Sequence, residues 1–513
     1  MKSTDAWMPF LAIRTNILKG VTGGFSQCLR LLLRRLLLDE KVGTDGVVVS
    51  LDEDQSSHVA LHFCVRNFIF DGDAQRQAFS SKGAKGKLPC LCCLNVVHDV
   101  ADIPNPRFVC MSNIDASKLE AASSEDLYEK ADTLSRTAPP HGQVGRHHQL
   151  ETALGLKYEP DGILWDLDLR RHIHMAEAIT CDSMHVLLAN GMAGDEVSCL
   201  FGVIMDRTVM LRRVVTWDHL RTFVDADFCF CHCYNISGKV SKLLSSAREE
   251  RWKRDGTIAF GAAELLVLVP LILYFLEVVV APTGLAPLAV TSFKALAVVI
   301  SLVQAGKLGR TDAEHLARAI RIHGEAFQAS YGPSTKTKPH WLLHIPSQLS
   351  RDGWIMDAFV GERANNTVKR VAMEVDNVHV LEKVVASRSA VRFLQRVADP
   401  LVFRDRLVKP ELCAGLVDGG AWAATSFVWE GLAFRRNDVI LVNDTPVLLN
   451  AGVVTSDEAI CVLGHSLTLV DKVTDCASSW RLGALSLWQL SPLSVGLPAT
   501  WHRDGDLFVI LIL

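Results

Sequence analysis

The chain carries almost no net charge: 53 Lys and Arg against 57 Asp and Glu leave −4 over 513 residues, with a pI near 6.5. That balance excludes a wholly basic nucleic-acid coat and leaves local basic clusters to hold any phosphate. Also missing is an N-terminal stretch running positive, then apolar, then small. The 14 irregularly spaced cysteines therefore read as reduced thiols of a nuclear or intracellular protein that is not secreted. No internal repeat or low-complexity tract is evident. Neither half of the stretch 259–303 offers an uncharged run of about 18 residues. The most apolar stretch, 259–303, is interrupted by Glu264, Glu277 and Lys294 and by Pro270, Pro282, Gly284 and Pro287. A buried helical hairpin, with no membrane partner, is the expectation there.

What is present is a globular balance, 49% hydrophobic and 21% charged, long enough for two to four structural units. Residues 1–42 read as a helical segment broken at Gly20, Gly23 and Gly24. Two β-branched and aromatic runs follow, 46–52 and 58–71, the second ending at acids. Residues 117–136 read as a solvated helix and 138–149 as a loop or linker. From 191 to 338 the pattern is helical throughout, with a capping box at Thr311-x-x-Glu314, and strands are not expected. A further part spans 339–400, and short strand patterns between Gly, Asn and Asp turns predict a small β domain at 425–513.

The residues with chemical potential fall in three places. Asp71-Gly-Asp73 closes a strand pattern just ahead of a basic, Gly-rich loop with Lys82, Lys85 and Lys87, then Cys90-x-x-Cys93. Asp182-Ser-Met-His185 and Phe359-Val-Gly-Glu362-Arg363 each edge an apolar segment. Two-metal phosphoryl transfer needs separated carboxylates that hold a Mg²⁺ or Mn²⁺ pair, and Asp71 or Asp73, Asp182 and Glu362 are candidates, against a background of many surface-turn acids. Cys90 and Cys93 have the two-residue spacing of half a zinc site. Residues weighed for its completion are His185, Cys181 and the cluster Cys229-Phe-Cys231-His232-Cys233, and spacing does not choose among them; thiols without metal remain open. His185 shares a helix face with Asp182 or is a core histidine. The basic loop grips phosphate or is merely solvated.

Together these stretches resemble the transposases of CACTA-type DNA transposons, of the DDE class. The resemblance lies in Asp71-Gly-Asp73-Ala74 with the basic loop and Cys90-x-x-Cys93. It lies also in Asp182-Ser-Met-His185, and in His340-Trp-Leu-Leu-His344-Ile-Pro through Glu362-Arg363 to Lys369. It implies an α/β, RNase H-like mixed-sheet core in 43–190 and 339–400, interrupted by a large helical insertion at 191–338. It also implies Asp71, Asp182 and Glu362 as catalytic acids with Asp73 and Asp166 as rivals, His185 as support, and Cys90 and Cys93 on a structural Zn²⁺. Lys82, Lys85, Lys87, Arg363 and Lys369 would contact DNA. The implied activity is metal-dependent cleavage and strand transfer at transposon ends, by a homo-oligomer. The alternative is a catalytically inactive transposase-derived scaffold that binds DNA or protein; a membrane-associated protein is the weaker one.

Overall fold

The structure, a computed structural model, describes residues 13, 15–50, 58–100, 105–138, 144–205, 215–225, 228–229, 240–377, 379–398, 406–413, 421–429, 432–443, 445–454, 460–474, 477–490, 495–504 and 506–511. The chain divides into two compact units.

One unit comprises Ile13–Val186 with Pro333–Ala358. Its described strands form three small sheets. β1 (Val47–Ser50) and β2 (His58–Leu61) pair antiparallel, β3 (Phe68–Phe70) and β6 (Ile179–Cys181) pair parallel, and β4 (Val96–Val97) and β5 (Val109–Cys110) pair parallel. The aromatic run 58–71 is thus two strands, not one. Around its break, Phe63 N donates to Val42 O, while Arg66 and Asn67 reach to Arg351 and Asp352 with their side chains. The core gathers Phe68, Phe79, Leu127, Leu134, Ile163, Met175 and Ile179. Against it lies the helix Gly24–Arg34, whose buried Ser26 donates to Ala78 O (2.6 Å) and accepts from Ile163 N (2.9 Å).

Two expectations for this unit change. The helix Ser124–Arg136 is not solvated all round. Ser123 and Asp126 form its capping box, and Leu127, Ala131 and Leu134, recurring at helical spacing, are buried. In the expected loop 138–149, a helix runs from Val144 to Leu154, and residues 139–143 lie outside the described set. Gly155 then takes a left-handed turn (φ 72°), because a Cβ there would stand 2.0 Å from Leu88 O. Lys82 N donates to Gly155 O, which fixes the basic loop onto this helix end.

The other unit comprises Leu187–Gly332 with Phe359–Leu513. Its helices include Met192–Ile204, Ala262–Phe275, Pro287–Gly306 and Ala313–Tyr331. Asp312, rather than Thr311, caps the last of these, accepting from His315 N at 2.7 Å. A strand does occur here: β7 (Phe228–Cys229). The remaining strands are β8 (Arg406–Leu407), β9 (Glu411–Cys413), β10 (Ala421–Ala424), β11 (Ser426–Trp429), β12 (Leu432–Arg435), β13 (Val439–Val442), β14 (Thr445–Val454), β15 (Ile460–Lys472), β16 (Ala477–Gln489), β17 (Val495–Asp504) and β18 (Leu507–Leu511). β13, β14, β15, β16, β18 and β17 pair in that order and β17 returns to β13, closing an antiparallel ring. Closure leaves the ring without an end strand. β7 adds to β17, carrying Phe228 onto the His502 ring (4.8 Å).

Three helical stretches, Ser183–Ile204, Ala262–Thr283 and Pro287–Gly306, are long and apolar enough to cross a membrane. The argument that charges disqualify 259–303 therefore does not hold by length and hydropathy. The first stretch is broken where Asn190 adopts a left-handed φ of 51°. In the other two the charges are paired within the fold: Arg248 Nη2 donates to both oxygens of Glu264 at 3.0 Å, and Lys294 stands 2.8 Å from Glu277.

Candidate metal centre

Cys90 and Cys93 lie on a turn after the basic loop. Leu94 N donates to Glu120 O and Ala122 N to Cys92 O, pinning the turn to the segment that leads into the helix Ser124–Arg136. Both cysteines are buried, in a small core with Val96 and Met111. The two histidines come from the far end of the unit. His340 lies on the helix Thr337–Leu342 and His344 caps the next, Ile345–Asp352. Pro346 has no N–H to continue the first helix, so the chain tightens to i→i−3 bonds at Leu343 and His344 and restarts. A four-residue step on this near-helical path puts both rings on one side, with centroids 4.9 Å apart at 90°.

The ligand atoms of Cys90, Cys93, His340 and His344 all lie within 4.8 Å of one another. Cys90 Sγ is 3.5 Å from His344 Nε2, Cys93 Sγ is 3.6 Å from His340 Nε2 and 3.5 Å from His344 Nε2, and the two Nε2 atoms are 3.2 Å apart. Around a tetrahedral zinc with Zn–S of about 2.3 Å and Zn–N of about 2.0–2.1 Å, sulfur and nitrogen stand about 3.5 Å apart and two nitrogens about 3.3 Å apart. The donor set and its spacings therefore fit zinc. Four protein ligands complete a tetrahedron and leave no position for water, which is the pattern of a structural site.

The electrostatics favour one thiolate, at Cys90. Hydrogen bonds from Cys92 and Cys93 hold the Cys90 thiol well below its ordinary value, and the same contact pushes Cys93 up. Burial alone would lower the His344 imidazole, but the Cys90 thiolate beside it raises it to about 9. Zinc binding to thiolate and neutral imidazole competes with protons, so zinc affinity falls with falling pH. His340 Nδ1 is buried with no hydrogen-bond partner among the described residues, so this ligand lacks the outer acceptor common around zinc histidines.

Two of the expected acids lie in the same unit as this cluster. Phe70 registers with Cys181 across the parallel pair, so Asp71 and Asp182 leave adjacent strand ends at the same level. Trp341, between the histidine ligands, lies against Gly72, where a Cβ would be 2.6 Å from its ring; glycine is required there by this approach. Asp71 caps the helix Gly72–Ala78, accepting from Ala74 N at 2.6 Å. Asp182 is 1% exposed, and its Oδ1 accepts from Met184 N (3.0 Å) and Ala358 N (2.9 Å) while Oδ2 meets His185 Nδ1.

The other candidates are not among the four clustered residues. Asp73 is exposed and pairs with Arg76 and Gln77 on its own helix. Asp166 is a structural anchor: Arg34 Nη1 donates to both its oxygens (2.9 and 2.8 Å), and Leu169 N donates to Oδ1 (3.0 Å). Lys82 pairs with Glu151 (3.3 Å), whereas Lys85 and Lys87 are exposed. Glu362, Arg363 and Lys369 lie on the helix Phe359–Met373 of the other unit; Lys369 is exposed, and the side chains of Glu362 and Arg363 lie outside the described residues. His185 is held by Asp182 and is no part of the four-ligand set, nor is Cys181, and residues 231–233 lie outside the described set. The sequence signal for the missing half was His340-x₃-His344, whose spacing is the usual counterpart of Cys-x₂-Cys.

Asp166 gives a testable consequence. Burial is the largest influence and opposes its ionisation, but the Arg34 hydrogen bond, the Leu169 N–H and the charges of Arg34 and Arg30 together outweigh it, and the carboxyl titrates below its ordinary value. Its contribution is thus present above the unfolded carboxyl pKa of about 3.9 and is lost as pH falls through the lower folded value. Asp166→Asn is expected to cost about 2 kcal/mol at pH 7 in urea unfolding, discounted for the half-exposed Arg34, and to flatten the decline in stability below about pH 4. An unchanged acid limb would contradict the assignment.

Comparison with protein-family models, with curated proteins and with solved structures finds no match for this chain.

Proposed function

We propose that the chain is a transposon-derived protein of the DDE transposase type that acts on DNA, with one unit closed by a structural zinc. One observation carries the reading. Parts of the three stretches that resemble such transposases, far apart in sequence, fall in one unit: the first supplies Cys90 and Cys93, the third supplies His340 and His344, and the second sets Asp182 level with Asp71, while Glu362, Arg363 and Lys369 belong to the other unit. Clamping the return segment 337–358 to these strands is the work of the zinc, reinforced by Arg351 on Asn67 and Thr180 and by Ser183 on Met356 O. Lys85 and Lys87 offer exposed charge for phosphates.

A second reading, the inactive DNA-binding scaffold, is favoured by Asp182 itself. With two N–H donors on one oxygen and His185 on the other, its carboxylate is poorly placed to take a Mg²⁺ ion. Labelled DNA incubated with Mg²⁺ or Mn²⁺, with and without chelator, separates the two. An active enzyme nicks only with metal and loses nicking in Asp71→Ala, Asp182→Ala and Glu362→Ala. The scaffold retains DNA without nicking, indifferent to Mg²⁺ and weakened steeply by salt. A folded protein that neither binds nor cuts DNA contradicts both.

A further inference from the structure

The antiparallel ring is closed on one side by a short strand, and this leaves a length of strand edge open. β18 pairs only with Ala477–Arg481 of β16. β16 runs on for eight more residues, Leu482–Gln489, paired to β15 along one edge and, among the described residues, to no strand along the other. At about 3.3 Å per residue, roughly 25 Å of backbone N–H and C=O groups face sideways there. β15 has a corresponding overhang past Ser466, where its pairing with β14 stops. The two edges differ in chemistry. The β15 overhang ends in Asp471 and Lys472, charges of the kind that discourage strand addition, whereas 482–489 reads Leu-Gly-Ala-Leu-Ser-Leu-Trp-Gln, without charge or proline. Its leucines are open to solvent: Leu482 is 43%, Leu485 48% and Leu487 42% exposed.

We propose that the edge Leu482–Gln489 pairs with the same edge of a second copy of this chain, antiparallel about a two-fold axis, so that the β15–β16 sheet continues across a dimer. Charge is the first reason for a second copy as the occupant. An uncharged edge gives a charged strand nothing to pair with, while self-pairing sets no like charges opposite each other. The second reason is the alternation of the strand. Leu485 and Leu487 stand opposite His465 and Leu463 on β15 and share one face. Directly opposed residues of an antiparallel pair lie on the same face, so the leucines of one copy can meet those of the other. An axis at Ser486 sets Leu485 against Leu487 of the partner subunit, and the contact occurs twice. Eight residues a side fall short of the roughly 20–30 of a standard interface, so the dimer forms reversibly with concentration. The proposal rests on the strand edge and not on the DNA reading.

The test is sedimentation equilibrium of the full-length protein over about 1–100 µM, with hydrogen exchange at 482–489 followed over the same range. The expected result is a monomer–dimer equilibrium in which the amides of 482–489 exchange more slowly as the dimer fills. Leu485→Lys combined with Leu487→Lys, both at exposed positions, sets like charges across the axis and abolishes the dimer. Leu485→Lys combined with Leu487→Glu sets opposite charges there and dimerises about tenfold more tightly than the double-lysine chain. Val470→Lys, at a 46% exposed position on the β15 overhang, leaves the dimer unchanged. Circular dichroism checks that each variant is folded, and the parent protein alone decides whether a dimer forms. A parent that stays monomeric at every concentration would overturn the proposal, and slow exchange at 482–489 in that monomer would place another part of the same chain on the edge. A dimer indifferent to the two lysines, or one weakened equally by Val470→Lys, would overturn it as well.

Discussion

Replacing His340 with alanine will strip zinc from the chain and unfold the unit Ile13–Val186 with Pro333–Ala358. The magnitudes decide this. Structural zinc sites bind with about 10–16 kcal/mol of apparent free energy at neutral pH, whereas a whole domain is stable by only about 5–15 kcal/mol. A centre joining residues 247 apart in sequence also holds together segments that otherwise meet through few bonds, chiefly those of Arg351, Ser183 and Ala358. Cys93→Ser is expected to behave alike, and a strong chelator to reproduce both in the parent protein. Melting of this unit should fall by more than about 10 °C. His185→Ala is the control: it lies beside Asp182, outside the ligand set, and should leave zinc content unchanged. If His340→Ala kept both zinc and stability while His185→Ala lost them, the ligand assignment would be wrong.

The second large effect lies in the other unit. Glu196 is 0% exposed, on the helix Met192–Ile204, and accepts from Ser292 Oγ (2.6 Å) and meets His323 Nε2 (2.7 Å), from the helices Pro287–Gly306 and Ala313–Tyr331. Three helices thus share one polar knot in an apolar layer where neighbouring Val197, Leu200, Phe293, Leu296 and Ile320 are buried. Glu196→Ala leaves a buried imidazole and hydroxyl without their acceptor, at a cost of about 3–5 kcal/mol. Glu196→Gln retains an acceptor of the same shape and should cost roughly half as much. Urea unfolding of the variants measures the difference. A Glu196→Ala protein as stable as the parent would mean that the knot contributes nothing net.

Local signals were legible in the sequence and long-range partnership was not. The break at Gly20–Gly24 and a strand ending just before Asp71 are short-range properties of neighbouring residues, whereas the capping box expected at Thr311 gives way to a cap at Asp312. Cys90-x-x-Cys93 was legible as half of the Cys/His cluster for the same reason. Its other half is a matter of tertiary pairing: His340 and His344 lie in an apolar segment where a histidine is ordinarily read as core, and nearer candidates such as His185 compete by proximity alone. The buried face of Ser124–Arg136 was hidden by its charged composition, since Leu127, Ala131 and Leu134 are few among polar neighbours. Asp166 stood as a rival to Asp182 through the resemblance alone, yet the arginine that claims it, Arg34, lies 132 residues earlier.

X-ray absorption at the zinc edge of the purified protein, with metal content measured on the same sample, tests the central claim most directly. The account requires one zinc per chain, with two sulfur neighbours at about 2.3 Å and two nitrogen neighbours at about 2.0–2.1 Å, and loss of the metal in Cys93→Ser and His340→Ala. Absence of bound zinc from a folded chain, or a zinc surrounded by oxygen and nitrogen alone and unaffected by those substitutions, would contradict it.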